Sequence, residues 1–428
     1  MPFESISARY RHLLGLPLTI ALLTGFQNAD AESARQTPNE DVKAADQAQS
    51  AQASIAHIPF NAPAHNLLID DFDGDGHSDI AFTSHHDSYT QVFLQRTPRQ
   101  FTAGPRVDAV GFHPGELIQV PGTEQRRYLM HAEGINRLRI FEPTAEGGLK
   151  PVSEIGAKAP RAGTFFNWPS WNHPGIAIAP FAKSMILLIK DFDPKTGHFG
   201  SSIELPFRPG AVHAHAITAA DIDKDGADEL LFTNTLTNTI AIVRQPKPDT
   251  DPVVETLWSF KPGGRPERIT AADIDQDGDL DLLIADATDK RPLNRTDINV
   301  LINDGKGNFD LKQIEFTGRP RTEGGMPGIQ SIDFAVDRDG YGYIIAIGYE
   351  QLTLMRIPRG WSGETPETRT RPLQRIERIT KAALFKLDGD DWLDLVFART
   401  NDTDSGVFLY GPLWENMRLL ENQGTKIQ

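Results

Sequence analysis

The stretch "ITAADIDQDGDLDLLIA", residues 269–285, decides the fold. Two apolar runs flank nine residues, Asp273 to Asp281, with carboxylates at positions 1, 3, 5 and 9 and Gly278 at position 6. A hard divalent cation such as calcium takes about six to eight oxygen ligands, and a tight loop with carboxylates on alternate residues converges them on one point. Glycine at position 6 permits the sharp turn. An EF-hand would carry Glu at position 12 between helices; here position 12 is Ile284, inside the strand-like run "DLLIA". The reading is strand, calcium loop, strand.

The pattern recurs. "DFDGDGHSD" begins at Asp71, "DIDKDGADE" at Asp221, and an altered copy, "KLDGDDWLD", at Lys386. The predicted cages are Asp71, Asp73, Asp75 and Asp79 with the carbonyl of His77; Asp221, Asp223, Asp225 and Glu229 with that of Ala227; and Asp273, Asp275, Asp277 and Asp281 with that of Asp279. Recurrence at fixed positions favours metal binding over merely hydrophilic turns. The loops at Ala335, in "DFAVDRDGYGY", and at Lys386 lack the first carboxylate and are doubtful metal sites, and Lys386 is itself a candidate internal cation for Asp388 and Asp394.

Spacing supplies the count. Asp221 lies 150 residues after Asp71, three periods of about 50, and Asp273 lies 52 after Asp221. Ala335 and Lys386 continue the series, while "LIQVPGTEQRRYLMHA" and "NHPGIAIAP" fill the missing positions without acidic ligands. Each unit also has a third apolar run: "QVFLQ" from Gln91, "RLRIF" from Arg137, "ILLIK" from Ile186, "TIAIV" from Thr239, "INVLI" from Ile298, "QLTLM" from Gln351 and "VFLYG" from Val407. Units that cannot bury both faces alone stack around an axis. The expectation is an all-β, seven-bladed β-propeller over residues 55–428, with calcium loops between the first two strands of several blades. An open solenoid, which would want capping repeats, is the competitor. Either "SIAHI" near Ser54 or "NMRLL" from Asn416 can close the ring, and the sequence does not choose.

These residues resemble the FG-GAP, or VCBS, repeats, the calcium-bearing propeller repeats also found in integrin α-chains. The Asp273 unit followed by "INVLINDGKGNF" is the clearest copy. The resemblance implies calcium loops on one face of a propeller and ligand contacts more often on the other. It implies no single activity, because such folds host many functions.

Composition sets limits. Thirty-nine per cent hydrophobic and 24% charged residues allow a sizeable core, and 36 glycines with 30 prolines suit many short strands better than long helices. A formal charge of −15 disfavours nucleic acid or an anionic membrane surface as partner. With no cysteine, disulfides, thiolate nucleophiles and cysteine zinc sites are excluded. Arg9 and Arg11 precede the apolar run Leu13 to Gly25, and Ala29 to Ala31 supply small residues, which predicts a signal peptide over 1–31, a flexible leader over 32–54, and a secreted or periplasmic protein. Membrane contact would arise only if that N-terminal segment stayed uncleaved.

The end of the ring opposite the acidic loops is the candidate ligand face. Counting back from the loops gives His65, His113, His213, His215, Arg265, Glu267 and Arg378; counting forward gives His85, His86 and Asp87 among others. Cations and hydrogen-bond donors in an acidic protein suit an acidic glycan or an extracytoplasmic protein partner. Trp168 and Trp171, in "FFNWPSWNHPG", offer sugar-stacking surfaces if exposed. The charged connection from Asp286 to Asp297 is the best placed to carry specificity. A polysaccharide lyase using His85 or His213 with Asp87 or Glu267 is the alternative to a recognition or scaffold module.

Overall fold

Strands such as "DIAFTS", "GIAIAP" and "GYIIAI" are built around unbroken apolar runs, which suits a strand covered on both faces. In the computed structural model they are the second strands of four-stranded sheets and are buried throughout. Outer strands such as Gln100–Asp108 and Val253–Ser259 are mostly exposed or half-buried, as an edge strand facing water is.

The structure describes residues 55–417 apart from 59, 61, 63, 85–86, 109–113, 124, 182–184, 207–213, 246, 248–249, 261–264, 288–295, 317–328, 349–350, 373–378, 400–405, 410, 412 and 415. The signal and leader assignments therefore lie outside the described residues.

The first blade is β2 (Ala64–Asp70), β3 (Asp79–Ser84), β4 (Tyr89–Thr97) and β5 (Gln100–Asp108), and it follows β1 (Ile55–Ile58) in the chain. The second is β6 (Pro114–Gln119), β7 (Tyr128–Ala132), β8 (Arg137–Pro143) and β9 (Leu149–Gly156). The third holds β10 (Pro160–Phe166), β11 (Gly175–Pro180), β12 (Met185–Ile189) and β13 (Ser202–Pro206). The fourth holds β14 (Ala214–Ala220), β15 (Glu229–Asn234), β16 (Thr239–Arg244) and β17 (Val253–Ser259). The fifth is β18 (Pro266–Ala272), β19 (Asp281–Ala287), β20 (Thr296–Asn303) and β21 (Phe309–Phe316). The sixth is β22 (Ser331–Val336), β23 (Gly342–Ile347), β24 (Gln351–Ile357) and β25 (Glu367–Pro372). All six are antiparallel meanders drawn from continuous sequence.

The remaining sheet is different in kind. It runs β1–β28–β27–β26, combining β26 (Ile379–Phe385), β27 (Asp394–Arg399) and β28 (Gly406–Leu409) with β1 from the other end of the described chain. The expected ring of seven like repeat units is corrected accordingly: six blades are self-contained, and the ring is completed by a composite sheet that is no repeat of its own. The physical reason is that the described residues after β25 form only three strands, and the strand that pairs the edge of β28 comes from the other end of the described chain. β1 pairs it, Ile55 opposite Leu409 and Ile58 opposite Gly406, whereas Met417 is buried in the core and belongs to no strand.

The core lies between blades. One cluster joins Phe166, Ile186 and Leu188 of the third blade to Ile217, Leu230 and Phe232 of the fourth. Another joins Phe60, Phe82 and Phe93 to Val396 and Ala398 of the composite sheet, which closes the ring. The first strands of successive blades lie side by side around the axis, β2 contacting both β6 and β26.

Candidate metal loops and the opposite end of the ring

Each acidic loop connects the first strand of a blade to the second. Position 6 has a left-handed backbone in all three complete copies, with φ of 90° at Gly76, 90° at Gly226 and 99° at Gly278. Position 4 is left-handed too, at Gly74, Lys224 and Gln276, a constraint the sequence conceals where the residue is not glycine. Within each loop three carboxylates bring one oxygen apiece to within 4.8 Å of the others: Asp71, Asp73 and Asp79; Asp221, Asp223 and Asp225; Asp273, Asp275 and Asp281.

The residues fit a hard divalent cation. The donor sets are all oxygen. Asp223 Oδ1 and Asp273 Oδ1 are buried with no hydrogen-bond partner, so each is a desolvated lone pair with nothing on it. Asp75 and Asp277 lie outside the three groups, their Oδ1 atoms accepting the backbone N–H of His77 and Asp279 at 2.9 Å. Glu229 also lies outside, its Oε2 accepting the N–H of Ile222 at 3.1 Å. In the first loop, protein cations already approach the carboxylates: Arg126 reaches Asp71 at 2.9 Å, and Arg96 pairs with Asp73 and Asp75. Lys224 of the second loop pairs with Asp279 of the third.

Position 9 has a second role that ligand counting missed. Asp79 accepts the N–H of Phe72 at 2.8 Å and of Gln95 at 2.7 Å; Asp281 accepts those of Ile274 and Asn303, both at 2.8 Å. Asp394 repeats this in the altered loop, accepting from Leu387 at 2.8 Å and Gly411 at 3.1 Å. Burial, with neighbouring carboxylates adding to it, raises Asp79 to about 6 and Asp281 and Asp394 to about 7. An amide at or near the end of the third strand then ties loops together. Gln95 Nε2 donates to Ser78 O of its own loop and to Leu387 O of the preceding sheet; Asn303 Nδ2 donates to Leu280 O of its own loop and to Ile222 O of the preceding blade. The signal was present as an amide closing the third apolar run in "QVFLQ" and "INVLIN".

Two expectations are corrected. Lys386 reaches Asp391, at 3.5 Å, rather than Asp388; the cation on Asp388 is Arg99 of the first blade, at 2.6 Å. Trp168 and Trp171 are 1% and 8% exposed and fill the gap between the third and fourth blades, with Trp168 Nε1 donating to Asp228 O at 2.7 Å. Facing blades leave an apolar gap that large rings fill, so neither indole is presented to a ligand.

At the opposite end, His65 is buried at the start of β2, Asp87 is exposed after β3 with its backbone N–H donating to Ser84 Oγ, and Arg265 pairs with Glu267 at 3.0 Å. His85, His86, His113, His213 and Arg378, with most of the Asp286–Asp297 connection, lie outside the described residues; His215 falls within β14, its side chain undescribed. Arg161, Arg268 and Lys381, which are buried on β10, β18 and β26, were missed because nothing in the sequence marks a cation as turned inward.

The family of FG-GAP-like repeats matches residues 221–284, the span from the second acidic loop into β19. No curated protein matches the chain.

Proposed function

We propose that this protein is a recognition or scaffold module working outside the cytoplasm, in which calcium rigidifies one end of a propeller and the other end holds an acidic glycan. The likeness to FG-GAP-like repeats at residues 221–284 is extended by this reading to calcium-bearing repeats of the integrin type and to the loop at Asp71. The observation that carries it is the division of charge. Three carboxylate clusters occupy the loops after β2, β14 and β18, while Arg161, Arg265, Arg268 and Lys381, with Glu267 among them, lie near the beginnings of β10, β18 and β26 in a chain of net charge −15. Bound calcium would be held by the Asp71, Asp221 and Asp273 clusters and would supply positive charge that offsets their mutual repulsion. The chain's own residues do the positioning: position 9 pins the loop to the strands, and Gln95 and Asn303 pass that order to the neighbouring sheet.

The test is co-elution of purified, calcium-loaded protein with a panel of acidic and neutral polysaccharides, with polymer length followed in parallel. Retention of an acidic polymer at unchanged length supports the reading. Progressive shortening would establish an enzyme, and absence of any glycan binding would redirect the search to protein partners.

A further inference from the structure

The three complete acidic loops share a ligand pattern but not an electrostatic setting. Among the described residues, no cation pairs with a carboxylate of the second group, Asp221, Asp223 and Asp225, or of the third, Asp273, Asp275 and Asp281. The cations around these loops pair with acids outside the groups, Lys224 with Asp279 and Arg244 with Glu229 at 3.6 Å. Asp223 Oδ1 and Asp273 Oδ1 keep buried lone pairs with no partner. The first group is different, because all three of its carboxylates are engaged. Arg126 Nη2 donates to Asp71 Oδ2 at 2.9 Å, Arg96 Nη1 pairs with Asp73 and reaches Asp75 at 3.3 Å, and Asp79 holds the N–H groups of Phe72 and Gln95.

Two blades deliver these arginines. Arg96 lies on β4 directly after Gln95, whose N–H is fixed on Asp79 at 2.7 Å and whose side-chain amide grips the carbonyls of Ser78 and Leu387, so the strand sets Arg96 over its own loop. Arg126 comes from the turn between β6 and β7 of the second blade, the position that holds an acidic loop in the first, fourth and fifth blades. Gly74, at position 4 of the first loop, makes room for it. A Cβ there would stand 3.3 Å from Arg126 Nη1, tighter than ordinary contact, and the φ of 83° already favours glycine. At the same position the second and third loops carry Lys224 and Gln276, whose side chains turn to Asp279 and to the Gly340 carbonyl. Of the three loops, only the first combines a bare position 4 with guanidinium groups on its converging carboxylates.

The side chains of Arg96 and Arg126 are 48% and 34% exposed, and ion pairs so open to water are weak and screened by salt. A hard divalent cation takes about six to eight oxygens, so its hold on such a cluster exceeds that of either guanidinium. The arginines therefore compete with calcium without excluding it. We infer that Arg96 and Arg126 rank the calcium sites: the second and third loops fill first, and the first loop fills only at higher calcium, once both guanidinium groups leave Asp71 and Asp73. The inference rests on the calcium reading of the three loops above and names the loop, and the residues, that make the protein respond to calcium in two steps.

The experiment is calorimetric calcium titration of calcium-stripped full-length protein, with bound calcium counted by equilibrium dialysis and the melting temperature followed in parallel. Wild type is expected to take two ions tightly and a third at least tenfold more weakly. The double variant R96Q/R126Q is expected to tighten the third ion at least fivefold while leaving the first two unchanged, and R126Q alone to tighten it measurably should the double variant fail to fold. D71N is expected to remove the weak ion and keep the tight pair. Three equal sites in wild type, a weak ion lost in D221N or D273N rather than in D71N, or a weak ion unmoved by both arginine variants would overturn the ranking. Absence of bound calcium from wild type and from every variant would instead sink the calcium reading itself.

Discussion

At the scale of single residues, the position-9 carboxylate separates architecture from metal binding. Asp281 belongs to a group of converging oxygens and also holds two backbone N–H groups, so its removal harms the protein with or without calcium. D281A is expected to lower stability by about 2–4 kcal/mol in urea titrations even with EDTA present, from the orphaned donors. D273N, whose Oδ1 has no protein partner, should instead abolish only the stabilisation that added calcium provides. Equal losses for the two variants in EDTA would contradict this division. His131 supplies the pH dependence. It is fully buried, and desolvation chiefly lowers its pKa to about 4, so the folded protein keeps it neutral while the unfolded chain protonates it near its ordinary value of 6.5. The unfolded state therefore binds more protons between these values. His131 contributes stability above pH 6.5 that is lost as pH falls towards 4, by up to about 1.4 kcal/mol per pH unit. Denaturation of H131M against wild type should show that slope diminished, and parallel pH profiles would refute it.

At the scale of elements, hydrogen bonds from the third strand complete the acidic loops. Asn303 closes its own loop and grips the loop of the preceding blade with one amide. N303L strands two carbonyls, and about 1–3 kcal/mol of stability should go with it. Calcium titration should also show the second and third loops filling less cooperatively than in wild type, a change that calorimetry reads directly. Such loops were legible in the sequence because ligand chemistry fixes residue type at fixed spacing, and the third strands were legible as apolar runs. The bulges near the beginnings of first strands, as between Ala64 and Asn66, were not, since a bulge is a property of the register between two strands and leaves no mark on either one alone. Nor was the fate of Trp168 and Trp171, because an indole in a polar loop reads identically whether it stacks on a sugar or fills the gap between blades. Arg99 was overlooked for a related reason: its partner Asp388 is 289 residues away, beyond the reach of any local pattern.

At the scale of the whole molecule, the ring depends on a strand of four residues. β1 covers the edge of β28, and Phe60 just beyond it is fully buried, 5.6 Å from Phe82 and 5.1 Å from Tyr89 between ring centroids, in the cluster that joins the first blade to the composite sheet. A ring of blades has no free edge facing its neighbours only while every sheet packs on the next, so weakening this junction puts the whole structure under load. F60A removes most of a buried aromatic side chain and should cost about 3–5 kcal/mol. Deleting residues 1–60 removes the same ring contact and, in addition, bares the hydrogen-bonding edge of β28, a template for pairing with another copy. The two variants should therefore differ in kind. Both should melt earlier than wild type in calcium, but only the deletion should shift to larger species with rising protein concentration in size-exclusion chromatography. If the deletion stays monomeric and melts with F60A, the strand contributes nothing beyond its anchor; if it melts with wild type, β1 does not close the ring.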